Sequence, residues 1–283
     1  MISLRNVFRL CAVALFLPLT AEAATVQVAA LQGYVESSPV IPAVFGNREQ
    51  GVDLDVRGAA SQSGPLMADL FQVSGELSLP LAANLRLMDS VSLTGAPSQT
   101  VHVSIKFPDV KQHAQILVRL SIGGAALATQ LGDLRFDVFP SSVTKDLAAL
   151  LQPGTDGSVH VAIFGSGRKL RVFFGSLNVR FEDAGLHLPD ELEPQRFYLA
   201  EPATGEEIPV TQEMKNAARV AIFAPDLTLP PGIYDERQGP GIVVQVTQPL
   251  LDNLSVDPRA QLALIKVIHL LNPQTSTQTP SSP

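Results

Sequence analysis

Between residues 66 and 139, apolar and polar side chains alternate with a period of two, and this pattern restricts the possible folds more than any other feature. The alternation is clearest in Val101–Phe107, where polar residues such as His102 separate the apolar ones, and in Gln115–Ile122. Successive side chains of a strand point to opposite faces, so each segment has one apolar and one polar face. A third strand is predicted over Phe71–Leu79, with its apolar face formed by Phe71, Val73, Leu77 and Leu79. Short antiparallel strands of this kind, separated by turns, are typical of a β-sandwich.

The pattern changes at about residue 134, where apolar strand-like segments begin to alternate with helical ones. The predicted strands are Leu134–Phe139, Val159–Phe164, Phe197–Ala200, Arg219–Phe223 and Ile242–Thr247. One helix is predicted after Ser141-Ser142, which can cap it, and a second contains Leu170, Phe173, Phe174 and Leu177 at helical spacing. A last helix, Arg259–Leu271, begins at Asp257-Pro258 and is apolar nearly all round, so we expect it to be well buried. Strands alternating with helices favour a mostly parallel sheet covered on both faces.

Together the two patterns predict an α+β protein of two domains. The first is an antiparallel β-sandwich over residues 66–139, and the second is a small three-layer α/β domain over residues 140–272 with a mostly parallel sheet. Residues 24–65 contain strands and loops, with a loop predicted at Ala59–Pro65, and they either complete the sandwich or lie across both domains. Residues 273–283 contain only Pro, Ser, Thr and Gln and predict a disordered tail.

Residues 1–23 have the three regions of a cleavable signal peptide of bacterial type. Arg5 and Arg9 precede the apolar run Leu10–Leu19, and Ala21-Glu22-Ala23 places small residues at both positions that a cleavage site requires. The run is roughly half as long as the ~20 residues that a spanning helix needs. We therefore expect a soluble mature chain, periplasmic or secreted, that begins at Ala24 and has no membrane span; the alternative is an uncleaved N-terminal anchor.

The position of the single cysteine and the net charge exclude several kinds of chemistry. Cys11 lies in the predicted signal, so the mature chain has no disulfide, no thiolate nucleophile and no cysteine metal ligand. Loss of Arg5, Arg9 and Glu22 with the signal changes the net charge from −7 to −8. No Lys/Arg cluster offsets this charge, and nucleic-acid binding depends on neutralising phosphates, so we expect no nucleic-acid partner.

The segment Gly165-Ser166-Gly167-Arg168-Lys169 is the strongest candidate for a ligand-binding site. It follows an apolar strand and opens a helix, which is where α/β sheets bind ligands and where helix N-termini favour anions. The two glycines allow close approach, and the two basic side chains add positive charge. The alternative is an ordinary tight turn with a solvated basic first helical turn, because the segment is neither a P-loop nor a full G-x-G-x-x-G.

Catalytic and metal motifs are absent from the sequence. A nucleophile elbow at Ser166 would need glycines where Phe164 and Arg168 stand. Of the five histidines, His102 is expected on the wet face of a strand and His269 in an apolar helix, and three lack a telling context: His113, His160 and His187. Acidic pairs are expected on a strand's polar face (Asp53, Asp55) or in solvated loops (Glu182-Asp183, Glu206-Glu207). We therefore predict no catalytic residue, metal or cofactor, although scattered carboxylates leave a hard-cation site or a glycoside-cleaving pair open.

The α/β half resembles a known family at several turns and caps. The segments are Leu229–Tyr234, Val243–Thr247, Pro249–Leu254 and Asp257–Gln261. They look like the end of a glutamine-amidotransferase-like α/β domain, which occurs with a preceding β-sandwich at the C-terminus of large secreted bacterial glycoside hydrolases of the β-galactosidase type. The resemblance covers roughly residues 70–272.

That resemblance does not carry activity with it. Amidotransferases of this fold use a Cys-His-Glu triad, whereas this chain has no mature cysteine and continues Phe223-Ala224-Pro225 without a nucleophile elbow. The resemblance thus implies a degenerate, non-catalytic domain, without the hydrolases' sugar-cleaving domain. The sequence favours a non-enzymatic extracytoplasmic binding or assembly protein whose partner is a polysaccharide or another extracytoplasmic protein. The alternative is an extracytoplasmic hydrolase of sugars or esters with its site at the Gly165–Lys169 turn.

Overall fold

A computed structural model describes residues 24–34, 41–57, 59–123, 128–152, 160–193, 195–203, 206, 208–224, 229–238 and 241–272. The predicted signal peptide (1–23) and tail (273–283) lie outside the described residues. Within the described part the protein is α+β, with three β-sheets and more strand than helix. No helix among the described residues is both long and apolar enough to cross a membrane.

Two of the sheets pack face to face around one apolar core. The smaller is antiparallel in the order β1-β3-β6, with β1 at Thr25–Leu31, β3 at Glu49–Arg57 and β6 at Ser98–Lys106. The larger has the order β2-β8-β7-β4-β5, with β2 at Ala43–Phe45, β4 at Gln62–Ser74, β5 at Leu77–Leu93, β7 at Ala114–Ile122 and β8 at Thr129–Phe139. Strand β2 runs parallel to β8, so this sheet is mixed rather than purely antiparallel. Strands from residues 25–57 therefore belong to both sheets.

The predicted alternation is confirmed in β6 and β7. The inner-facing residues of these strands are buried: Val101, Val103, Ile105, Ile116, Val118, Leu120 and Ile122. His102, Ser104 and Lys106 lie on the exposed side of β6, as expected. The β3–β6 and β4–β7 pairings have no register shift, so the period of two in β6 and β7 transfers directly from the sequence to the sheets.

The prediction for Phe71–Leu79 is wrong. The segment is a hairpin: β4 ends at Ser74, Gly75 adopts a positive φ of 60°, and β5 begins at Leu77. The buried face of β4 carries Leu66, Ala68 and Leu70, whereas Leu77 and Leu79 are 78% and 61% exposed. The predicted loop at Ala59–Pro65 is also wrong at its end, because β4 already begins at Gln62.

The third sheet has the order β10-β9-β11-β12-β14-β13 and is parallel except for β13. Its strands are β9 at Val161–Phe164, β10 at Glu182–Gly185, β11 at Phe197–Ala200, β12 at Arg219–Phe223, β13 at Ile233–Gln238 and β14 at Gly241–Val246. The helices are α1 at Ser142–Leu150, α2 at Lys169–Ser176, α3 at Gln212–Ala217 and α4 at Pro258–Leu271. Apolar residues of α1, α2 and α4 pack on one face of the sheet, and Met214 of α3 packs on the other.

Most predicted elements of this part are confirmed, with some local differences. The α4 N-cap is as expected, because the Asp257 side chain accepts a hydrogen bond from the backbone N–H of Arg259. Ser141 occupies the N-cap of α1 but makes no side-chain capping bond. Helix α4 is less buried than expected, since Leu262 is 37% exposed. Glu182-Asp183 lies in strand β10 and not in a loop.

Candidate functional site

The predicted Gly165–Lys169 turn lies at the carboxyl end of β9, next to the end of its parallel neighbour β11. The chain leaves β9 toward α2 on one face of the sheet and leaves β11 toward α3 on the other. Adjacent strands whose connections go to opposite faces form a topological switch point, where α/β sheets place their ligand crevice. The structure therefore brings the five predicted site residues to the position at which such a fold binds ligands.

Both glycines of the turn are required by one residue of the neighbouring strand end, Glu201. Gly165 has a φ of +98°, and a Cβ there would lie 2.5 Å from the Glu201 carbonyl oxygen. A Cβ on Gly167 would overlap Cγ of Glu201. The two segments are joined by backbone bonds, from Gly167 N–H to Glu201 C=O (2.8 Å) and from Glu201 N–H to Phe164 C=O (2.9 Å). The glycines thus admit a residue of the protein itself.

The Glu201 side chain caps helix α2. Its Oε1 accepts from the backbone N–H of Lys169 (2.6 Å) and its Oε2 from that of Leu170 (2.9 Å), and the residue is only 2% exposed. These first-turn N–H groups and the helix dipole are what attract a bound anion to a helix N-terminus. An internal carboxylate therefore occupies the anion position that the sequence predicts at this turn.

Ser166 is exposed and hydrogen-bonded to an acid. Its hydroxyl donates to Oε2 of Glu206, and the backbone N–H of Ala203 donates to both Glu206 Oε2 (2.9 Å) and Ser166 Oγ (3.1 Å). The hydrogen bond from Ser166, then that from Ala203 and the charge of His187, lower the pKa of the Glu206 carboxyl. A carboxylate with a lowered pKa is a weak base, so this arrangement does not activate the hydroxyl at neutral pH.

The basic side chains of the turn differ in their surroundings. Arg168 is exposed, whereas Lys169 forms an ion pair with Asp252 of a short 3-10 helix, Leu251–Asn253. Arg171, which the sequence patterns did not single out, holds the turn in place. Its guanidinium donates to the Gly167 carbonyl (2.5 Å) and to both carboxylate oxygens of Asp183 on β10 (3.1 and 2.8 Å). The hydrogen bond from Arg171 lowers the pKa of Asp183.

Two other histidine–acid pairs lie away from this turn. His102 Nδ1 is 2.7 Å from Asp53 Oδ1 on the outer face of the three-stranded sheet, and this contact lowers the pKa of Asp53. His113 Nε2 is 3.1 Å from Asp137 Oδ1, and the His113 ring stacks on Phe139. Within the described ranges, no group of three or more His, Cys, Asp or Glu residues is arranged to hold a metal ion.

Comparison with known proteins gives only weak structural similarity. No protein-family model and no curated protein matches the chain. A Niemann-Pick type C2 protein from Japanese carpenter ant is 8% identical, with a TM-score of 0.31 over 44% of this chain and 96% of that chain. Spo0M, a sporulation control protein from Bacillus subtilis, is 14% identical, with a TM-score of 0.29 over 45% of this chain and 54% of that one.

A β-glucosidase from Listeria innocua in complex with glucose is 10% identical, with a TM-score of 0.25 over 41% of this chain. This chain spans 54% of Spo0M and 16% of the glucosidase. At these scores and identities the similarities support no argument about activity, ligand or partner.

Proposed function

We propose that this chain is an exported, non-catalytic binding or assembly protein of the periplasm or the extracellular space. The observation that carries the proposal is the Glu201 carboxylate on the first two amides of α2. Backbone N–H groups at such a turn stabilise an oxyanion or a phosphate only when they face the ligand. Here they are satisfied internally, which favours a turn built for stability over a turn built for catalysis.

A ligand of this turn would contact exposed side chains instead of the first-turn amides. Ser166, Arg168 and Lys169 are exposed, whereas Gly165 is buried and Gly167 half-buried. In this proposal the Gly165–Lys169 turn contributes a polar, partly basic rim to a surface that binds a polysaccharide or another extracytoplasmic protein.

The proposal includes export and a two-domain organisation. Residues 1–23 act as the signal peptide, so N-terminal sequencing of the exported protein should begin at Ala24. A β-sandwich centred on residues 66–139 is followed by an α/β domain over residues 140–272, and strands from residues 25–57 complete the sandwich sheets. The α/β domain is a degenerate relative of the amidotransferase-like domains, consistent with the absence of cysteine from the mature sequence.

A thermal-shift screen of residues 24–283 tests the binding role. Sugars, phosphates, nucleotides and divalent cations are the probes, and a ligand at 100 times its Kd stabilises the native state by about 2.7 kcal/mol. Arg168→Ala should remove the shift caused by a ligand of the turn, and Lys145→Ala, which removes an exposed charge on α1, should not. Equal losses in both variants would mean nonspecific charge effects and would contradict a site at this turn. If no probe shifts the protein, pull-down from the periplasm tests a macromolecular partner.

One observation favours hydrolase activity as a second candidate. Ser166 donates a hydrogen bond to Glu206, and the charge of His187 contributes to the lowered pKa of the Glu206 carboxyl, so a hydroxyl and an acid are paired at the sheet edge with a histidine in the same region. Under the leading proposal, Ser166→Ala leaves the fold unchanged, and binding at the turn persists through Arg168 and Lys169. Loss of a measured ester or sugar hydrolysis in this variant, with its far-UV circular dichroism unchanged, would replace the binding role with the hydrolase.

A further inference from the structure

The segment Leu250–Arg259, between β14 and the first turn of α4, is attached firmly to the six-stranded sheet and its helices. Leu250 and Leu254 are buried in the apolar cluster that also contains α2 and α4 residues. Gln261 donates to the Leu254 carbonyl (2.8 Å), and Asp252 is paired with Lys169 at the candidate turn. One end of this 250–259 segment is therefore part of the α/β half of the molecule.

The same segment also contacts the facing sheets. Arg259 forms an ion pair with Asp137 of β8, in the five-stranded sheet. Tyr34 follows β1 in the chain. Its hydroxyl donates a hydrogen bond to the carbonyl of Ala43 in β2 and lies 3.4 Å from the carbonyl oxygen of Val256, within hydrogen-bonding distance. A Cβ on the adjacent Gly33 would lie 3.2 Å from Cγ1 of Val256, so the segment after β1 and the 250–259 segment are in close contact here.

Asp137, Asp257 and Tyr34 are partly withdrawn from water at this junction, whereas the Arg259 side chain is 36% exposed. The Asp137 side chain is 13% exposed and accepts from Arg259 while also lying within 3.1 Å of His113 Nε2. Burial raises the pKa of Asp257, and burial together with the Asp257 charge raises the pKa of Tyr34. Breaking this pair leaves the largely buried Asp137 carboxylate without its Arg259 partner, and that loss is the main cost of separating the two groups.

We propose that the 250–259 segment locks the six-stranded sheet onto the five-stranded sheet, so that the two halves of the chain unfold and move as one body. Along the polypeptide, β8 is joined to α1 by the short Pro140-Ser141 link. Domains joined by a link alone are expected to move relative to one another, and a second attachment, partly buried here, restricts that motion. The proposal is independent of any ligand at the Gly165–Lys169 turn.

Differential scanning calorimetry of residues 24–283 tests the lock. The wild-type protein should show one transition, with a ratio of calorimetric to van't Hoff enthalpy of about 1. Arg259→Met and Asp137→Asn should separate the transition into two, or raise the ratio toward about 2, because each half then unfolds alone. Arg119→Met is the matched control: Arg119 pairs with Asp133 on the same sheet, and it should leave a single transition.

The ratio of calorimetric to van't Hoff enthalpy in the lock variants decides whether the ion pair couples the two halves or only stabilises the protein. A ratio that stays near 1 in both lock variants, even with a lower Tm, would show that the pair stabilises the protein without coupling its halves. Two transitions in the wild-type protein would also overturn the proposal. If Arg259→Met does not fold, Tyr34→Phe decides, since it removes only the hydroxyl bonds to Ala43 and Val256: an unchanged ratio there contradicts the lock, and a raised ratio supports it.

Discussion

Replacing Glu201 by glutamine should destabilise the protein far more than a change at one side-chain atom usually does. The carboxylate accepts two backbone N–H bonds in a site that is 2% exposed. A hydrogen bond to a charged group contributes about 1.5–3 kcal/mol, and a neutral one about 0.5–1.5 kcal/mol. Glutamine retains one acceptor oxygen but turns its N–H2 group toward the second backbone N–H, so one bond is lost and the other becomes neutral.

The expected decrease in the free energy of unfolding is therefore about 2.5–4.5 kcal/mol. At the size of this chain, that corresponds to a fall in Tm of roughly 5–15 °C. Because the chain has no tryptophan, urea unfolding is best followed by far-UV circular dichroism. The control is Glu191→Gln, the same substitution at an exposed glutamate ten residues earlier in the chain. It should change the free energy of unfolding by less than about 0.5 kcal/mol.

A second measurement separates the role of the charge from that of packing. In Glu201→Ala the first-turn amides are left without a partner, so formate should restore part of the lost Tm relative to chloride at equal ionic strength. If Glu201→Gln is as stable as Glu191→Gln, the carboxylate does not hold the helix, and the reasoning for a non-catalytic turn fails. If Glu201→Ala is destabilised but formate has no effect, the loss comes from packing rather than from the anion position.

Three further predictions concern the turn, the α4 cap and the β4–β5 hairpin. Gly167→Ala should destabilise the protein in urea titrations because its Cβ overlaps a buried side chain, whereas Gly175→Ala, in α2 with nothing within 4 Å, should stabilise it by about 0.5–1 kcal/mol; equal effects would contradict the close packing. Burial raises the Asp257 pKa in the folded state, so this carboxyl contributes stability at low pH that is lost as the pH rises through its folded pKa. Wild-type stability minus that of Asp257→Asn should therefore fall as the pH rises from about 4, the ordinary pKa of Asp, to 7, and a flat difference would argue against the burial effect. Leu79→Ser should change stability by less than about 0.5 kcal/mol, while Leu70→Ala should cost about 2–5 kcal/mol; the reverse order would restore the face predicted from the sequence.

The sequence predicts those elements whose pattern is decided locally. Strands β6 and β7 alternate without interruption, and the Asp257-Pro258 cap is a local signal that α4 obeys. The hairpin was missed because Leu77 and Leu79 continue the period of two past Gly75 although both are exposed, and because the β4–β5 pairing shifts register at several points. Local alternation cannot specify which face is inside once bulges change the parity of a strand.

Other elements depend on partners that are distant in sequence. Strand β10 has the sequence Glu-Asp-Ala-Gly, and its two acids form ion pairs with Arg196 and Arg171. Strand β13 and helix α3 were also missed, since neither has a strong period of its own. Tertiary pairing overrides weak intrinsic preference in such short segments.

The location of the candidate site could be predicted from the sequence, but the occupation of its anion position by the Glu201 carboxylate could not. A strand, a glycine turn and a helix in succession indicate the carboxyl edge of a sheet from local sequence alone. That the anion position is filled depends on β11 lying beside β9, which brings a carboxylate 32 residues beyond Lys169 onto the turn. The available signal was an acid directly after a buried strand, and it became informative only once the strand order was known.

The interlocked turn has a consequence for how chains of this architecture can diverge. Gly165, Gly167 and Glu201 form a set in which each residue restricts the others, because the glycines are small to admit the glutamate and the glutamate satisfies the helix behind them. Shortening the single side chain at position 201 empties a site already lined with amides and flanked by Arg168. We therefore expect that a single substitution at position 201 opens the amides of this turn to phosphate or carboxylate, which makes this position a starting point for engineering a binding site into the fold.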